Sequence, residues 1–179
     1  MLIAVAAYIL GSLPLGFLLR RLNVLHLPPR MLSIGADLFL GIAVTFLAPK
    51  LILLLSRFGL AALAYPLAND AQIKACALIF ALLGHYFSVY VCGWGGLGTA
   101  LLIGGFLVLT PYAALLCIAL IALVLLMTRR MKYASLTGGI ALPFLVCWQY
   151  PLDWIYIGAS ILAAAFLTFT HIRFLREEA

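Results

Sequence analysis

Residues Thr99 to Lys132 read TALLIGGFLVLTPYAALLCIALIALVLLMTRRMK, and this stretch decides the fold. No charged residue occurs from Thr99 to Thr128, after which Arg129, Arg130 and Lys132 arrive together. Crossing a hydrocarbon core takes ~20 predominantly apolar residues, so an uncharged run of this length is a membrane sequence. Thr110–Pro111 divides it into two helices, because proline has no N–H to continue the helical ladder. The first of the two is short unless it begins near Leu97. The apolar residues are continuous rather than alternating, so the spans are helices and not barrel strands.

The rest of the chain has the same character. Of 179 residues, 67% are hydrophobic and 9% charged, and the mean hydropathy is +1.24. A water-soluble domain of this size cannot hide so much apolar surface. The net charge of +6 does not call for a nucleic acid, since most basic residues stand at the ends of apolar runs, where topology signals stand. The four cysteines, Cys76, Cys92, Cys117 and Cys147, have no metal or redox spacing and read as small apolar fillers. No metal or other cofactor is expected. The first apolar run lacks a basic start and is followed by arginines, so it reads as a retained helix rather than a cleaved leader.

Working outward in both directions gives about seven spans. The first covers about Leu2 to Leu19 and is followed by Arg20, Arg21, Arg30 and the Pro28–Pro29 stop. Met31 to Ala68 is apolar but interrupted by Pro49–Lys50 and Arg57. It reads either as a loop or re-entrant piece followed by one span from about Leu51, or as two spans. Asn69 to Lys74 reads as a polar loop. A third span runs to about Cys92 with His85 near its end. Beyond Lys132, a sixth span covers about Ala134 to Trp148, Gln149–Tyr150–Pro151 turns the chain, and the last begins near Trp154 and ends at His171–Arg173. With seven spans, Arg20, Arg21, Arg30, Arg129, Arg130, Lys132, Arg173 and Arg176 share one side, which the positive-inside rule makes cytoplasmic. The N-terminus is then outside and the C-terminus inside. An eighth span near residues 33–48 breaks this pattern and is disfavoured.

The place where apolar sequence gives way to chemistry is Gly84 to Thr99, GHYFSVYVCGWGGLGT. Gly95, Gly96 and Gly98 can form a nest of backbone N–H groups for an anion, or simply a tight turn between helices. His85 can position a substrate or act as a general base on a hydroxyl, or hydrogen-bond between helices. Asp37 is one of very few acids and lies in an apolar stretch, where an ionisable group is a functional candidate. Arg30 or Arg57 is a good partner for it; Arg57 could supply the cation missing from the glycine loop if it faces inward and snorkels if it does not. Ser12 and Ser135 either contact substrate or bond to helix carbonyls. Arg129, Arg130 and Lys132 read as a topology signal that also attracts anionic headgroups. Trp94, Trp148 and Trp154 read as interfacial anchors.

Taken in order, these motifs resemble the bacterial acyl-phosphate:glycerol-3-phosphate acyltransferases of the PlsY type over nearly the whole chain. Gly11-Ser12-Leu13-Pro14 with Gly16 is similar to the family's opening Gly-Ser pattern. Gly84-His85 leading to Gly95-Gly96-Leu97-Gly98 is similar to its Gly-His pattern and following Gly-Gly-Lys-Gly. Tyr133-Ala134-Ser135-Leu136 resembles its Tyr-x-Ser-Leu, and His171 to Glu178 echoes its Arg-His-x-x-Asn-Ile ending. The departures concern phosphate. Leu97 stands at the glycine-loop lysine and Trp94 at the preceding basic position. The family's asparagine-rich loop corresponds to Met31–Leu38, where only Gly35-Ala36 survives, and its Asp-x-x-Lys-Gly element is reduced to Ser56-Arg57-Phe58-Gly59.

The resemblance implies a single all-α polytopic domain, residues 1–179, in the bacterial inner membrane. It implies transfer of an acyl group from acyl phosphate to glycerol 3-phosphate, giving lysophosphatidic acid for phospholipid synthesis, with no covalent nucleophile. No Ser-His-Asp arrangement is visible in the sequence. His85 and Ser12 are expected to be catalytic, with Gly95, Gly96, Gly98, Ser135, Asp37 and Arg57 holding substrate. The lost basic residues suit a less charged acceptor or reduced activity. The alternative is a non-catalytic relative that binds a lipid or a membrane partner. A small transporter is opposed by the scarcity of intramembrane charge and by the absence of an inverted repeat.

Overall fold

The computed structural model describes residues 2–15, 18, 29–57, 69–88, 90, 93–94 and 98–177. Among them are seven α-helices: α1 Leu2–Gly11, α2 Pro29–Arg57, α3 Asp70–Tyr86, α4 Thr99–Leu109, α5 Pro111–Thr128, α6 Met131–Gln149 and α7 Trp154–Glu177. Two short strands, β1 Phe87–Ser88 and β2 Gly93–Trp94, pair antiparallel, with Phe87 opposite Trp94 and Ser88 opposite Gly93. Three helices are long and apolar enough to cross a membrane within Met31–Leu54, Pro111–Thr128 and Trp154–Ile172. Their outward faces are apolar, with Leu126 and Met127 78% and 79% exposed. Only hydrocarbon makes such a face favourable, and the chain is an all-helical membrane protein.

The largest correction concerns Met31 to Ala68. A single helix, α2, runs through Pro49–Lys50 without a break, so the expected start of a span near Leu51 is wrong. Proline removes the donor for the carbonyl of Thr45, four residues back. In a membrane, unwinding would expose more backbone polar groups than this single loss, so the helix continues. The first helix is shorter than expected: it ends at Gly11, because Pro14 forces the residue before it out of helical geometry. Asn69–Lys74 is not a loop. Asn69 is extended and Asp70 opens α3, where its carboxylate favours the positive helix end and meets Lys74 at 2.6 Å, one turn on. The helix then stops at Tyr86 and not at Cys92. The break at Thr110–Pro111 falls where the sequence places it, with Pro111 in the first turn of α5, and Arg129 ends that helix in a left-handed conformation (φ 54°).

The chain forms two compact units, Met1–Leu109 and Thr110–Ala179. In the first, α1 packs on α3 and α2 packs on α4, α3 and α1. The contacts are backbone against backbone. A Cβ at Gly84 would strike the carbonyl of Tyr8, and one at Gly11 the backbone of Ala81. The α2–α4 crossing repeats the device: Gly41 faces the carbonyl of Leu101, and Gly104 that of Leu38. Lipid tails are as apolar as leucine, so helices gain by approaching closely through small residues. In the second unit α6 packs between α5 and α7, with Gly138 against Ile121 and Gly139 against Leu167.

Gly41→Leu is therefore expected to destabilise the protein by at least about 2 kcal/mol, the scale of overpacking. Gly158 is the control, because a Cβ there would meet nothing within 4 Å. Gly158→Ala is expected to stabilise α7 by about 0.5–1 kcal/mol. Melting temperatures in detergent check both.

Candidate functional site

The first unit gathers polar groups where α1 and α3 end together. Ser12 is buried; its N–H donates to the carbonyl of Tyr8 at 2.9 Å and its hydroxyl to that of Ile9 at 2.9 Å. Its own carbonyl accepts the hydroxyl of Ser88 at 2.7 Å. The Tyr8 hydroxyl donates to the carbonyl of Phe87 at 2.8 Å. Glycine at position 84 makes this possible, since any side chain would push α1 away. Ser12 thus closes α1, and its hydroxyl bonds to a carbonyl of its own helix.

One residue beyond Gly84, His85 is buried with Nε2 3.8 Å from Oδ2 of Asp37 on α2. That separation is too long for a hydrogen bond. Nε2 has no hydrogen-bond partner among the described residues. A buried nitrogen left facing a carboxylate is costly unless another polar group enters between them. The sequence singled out both residues without pairing them, because 48 positions of chain separate them and only the packing of α2 on α3 brings them together.

Gly98 adopts φ +67°, and a Cβ there would strike the Tyr86 ring and hydroxyl, so this glycine is fixed both by backbone and by space. Gly95, Gly96 and Leu97 lie outside the described residues. Arg57 does not join the cluster. It is exposed at the far end of α2, about 30 Å along the helix from Asp37 at 1.5 Å per residue, so it neither pairs with Asp37 nor replaces the glycine-loop lysine beside His85.

The second unit holds a pair that the sequence reading left unconnected. Ser135 on α6 and His171 on α7 are both buried, with Oγ and Nε2 2.6 Å apart. His171 Nδ1 lies 3.0 Å from the carbonyl of Leu167. A carbonyl only accepts, so Nδ1 carries the proton and Nε2 accepts the serine hydroxyl. The serine oxygen is also 3.2 Å from the carbonyl of Lys132, the longer of its two contacts. This is a serine–histidine pair oriented by a backbone carbonyl in place of a carboxylate. The tail motif containing His171 was the signal that could have found it. Lys132 precedes Ser135 by one turn on α6, and Arg129 and Arg130 join α5 to α6, with the Arg130 guanidinium 5.9 Å from the Tyr133 ring centroid. The first unit therefore offers a buried imidazole beside a carboxylate, and the second a hydroxyl–imidazole pair one turn from Lys132.

The chain matches a family model described as glycerol-3-phosphate acyltransferase over residues 1–177. A glycerol-3-phosphate acyltransferase of Pseudomonas fluorescens is 38% identical over 156 residues, covering 84% of this chain and 82% of that protein. One from Thermosynechococcus vestitus is 28% identical and covers 95% and 87%. The crystal structure of PlsY (YgiH), an integral membrane glycerol 3-phosphate acyltransferase, in its glycerol 3-phosphate form superposes with a TM-score of 0.76 at 18% identity, over 98% of this chain and 89% of that one.

Nitrogen-15 NMR of His171 is expected to report the neutral form protonated on Nδ1, and Ser135→Ala is expected to keep that tautomer while shifting Nε2. A proton on Nε2 would contradict the assigned hydrogen bonds.

Proposed function

From the membership of this chain in the glycerol-3-phosphate acyltransferase family, we propose that it transfers an acyl group from acyl phosphate to glycerol 3-phosphate and releases inorganic phosphate. The observation that carries the reading from family to mechanism is the unpartnered buried Nε2 of His85 facing Asp37. The acceptor hydroxyl oxygen attacks the acyl carbonyl carbon, a carbon–oxygen bond forms, and the bond from that carbon to the phosphate oxygen breaks. His85 takes the hydroxyl proton as general base, and the Asp37 carboxylate stabilises the imidazolium that results. The departing phosphate needs no covalent enzyme intermediate, because the acyl group arrives already activated.

With leucine at position 97, phosphate recognition in the first unit falls on backbone donors, the N–H groups of Gly98 with Gly95 and Gly96. In the second unit, Arg129, Arg130 and Lys132 supply charge that attracts anionic headgroups. Seven crossings, an N-terminus outside and a C-terminus in the cytoplasm of a bacterial cell put this basic cluster on the side where soluble glycerol 3-phosphate is found. That topology rests on the positive-inside rule. The leucine also favours a second reading, a relative that binds lipid without turnover.

Acyl transfer by purified protein, with labelled glycerol 3-phosphate as acceptor, separates the two. His85→Ala is expected to lower kcat at least about 100-fold. Leu97→Lys is expected to lower KM for glycerol 3-phosphate about tenfold, as one charge-assisted hydrogen bond does. Activity that is indifferent to His85→Ala removes the general base assigned here, and activity seen only in Leu97→Lys selects the non-catalytic reading.

A further inference from the structure

The helix ends away from His85 carry a second constellation. A cavity of about 420 Å³ lies between α1, α2 and α3, its wall apolar except for Lys50. Along α2 it extends from Leu40 to Leu54, about 21 Å at the helical rise, or two thirds of the ~30 Å hydrocarbon thickness. Its other walls include Ile3, Ala7 and Ala77. Leu10, Leu47 and Leu54 on its wall are about half exposed, so it opens toward the membrane, where the available filler is an acyl chain.

Charge sets which way the filler points. Lys50 borders the cavity and also lines an adjoining cleft with Asp70 and Lys74. Its ammonium lies 4.1 Å from the centroid of Phe46, while Lys74 is paired to Asp70. The cleft has two ammonium groups and one carboxylate, leaving one positive charge. At the opposite end the nearest ionisable group on α2 is Asp37, one turn before Leu40, which brings no positive charge for a phosphate.

We propose that this cavity binds an anionic phospholipid, with an acyl chain along α2 from Leu40 to Leu54 and the phosphate on Lys50. The lipid is not the acyl phosphate of the reaction, because Lys50 is about 20 Å along α2 from Asp37. It fastens α1 to α2 and α3 from the side opposite the reacting groups.

The test uses the full-length protein in phosphatidylcholine nanodiscs containing a trace of phosphatidylglycerol or phosphatidylcholine with a diazirine in one acyl chain. The label is mapped by peptide mass spectrometry. Wild type is expected to be labelled within residues 40–54 and 3–10, more by phosphatidylglycerol. Lys50→Gln, an exposed substitution that leaves the core intact, is expected to remove about fivefold of that preference, the effect of one lysine on an anionic lipid. Ala43→Phe, which fills the cavity, is expected to suppress labelling by both lipids. Excess palmitoyl phosphate is expected to leave labelling unchanged. Labelling absent from residues 40–54, a headgroup preference untouched by Lys50→Gln, or displacement by palmitoyl phosphate would each overturn the proposal, the last by making the cavity a substrate acyl site.

Discussion

Backbone contact at four glycines sets how closely the helices that carry His85 and Asp37 approach their neighbours. Gly11 and Gly84 bring α1 onto α3, and Gly41 and Gly104 bring α2 onto α4. Without a hydrophobic force between helices in lipid, only such close packing and internal hydrogen bonds hold the spans together. The consequence for chemistry is direct. Gly84 is followed by His85, so a close approach of α1 and α3 stands one residue from the imidazole. The same approach lets Ser88 reach the carbonyl of Ser12, which ties the β1–β2 hairpin to the end of α1.

Much of this was legible in the sequence. The uncharged run from Thr99 to Thr128 and its basic ending required helices in a membrane, and Thr110–Pro111 marked the break between α4 and α5 correctly. Where the reading failed, it applied rules of aqueous structure to a segment in lipid. Pro49 and Lys50 look like a break, yet α2 passes through them because the alternative exposes more unpaired backbone. Asn69–Lys74 looks like a loop by polarity, yet Asp70 and Lys74 are one helical turn apart and paired.

The candidate site was legible as a set of residues and not as an arrangement. His85 and Asp37 stood out as rare ionisable groups in apolar sequence, but nothing in their spacing announced a pair. Ser135 was singled out by its motif, whereas His171, 36 residues on, could be joined to it only through the packing of α6 on α7. Arg57 shows the converse. Its charge made it an attractive partner for Asp37, and the continuity of α2 puts the two at opposite ends of one helix.

Coupling of acyl transfer to glycerol 3-phosphate is tested most directly by the stoichiometry of the purified wild-type protein supplied with acyl phosphate, with and without glycerol 3-phosphate. One inorganic phosphate is expected for each lysophosphatidic acid formed, with no release when the acceptor is withheld. Phosphate release that is independent of the acceptor, or no lysophosphatidic acid at any acceptor concentration, would contradict it.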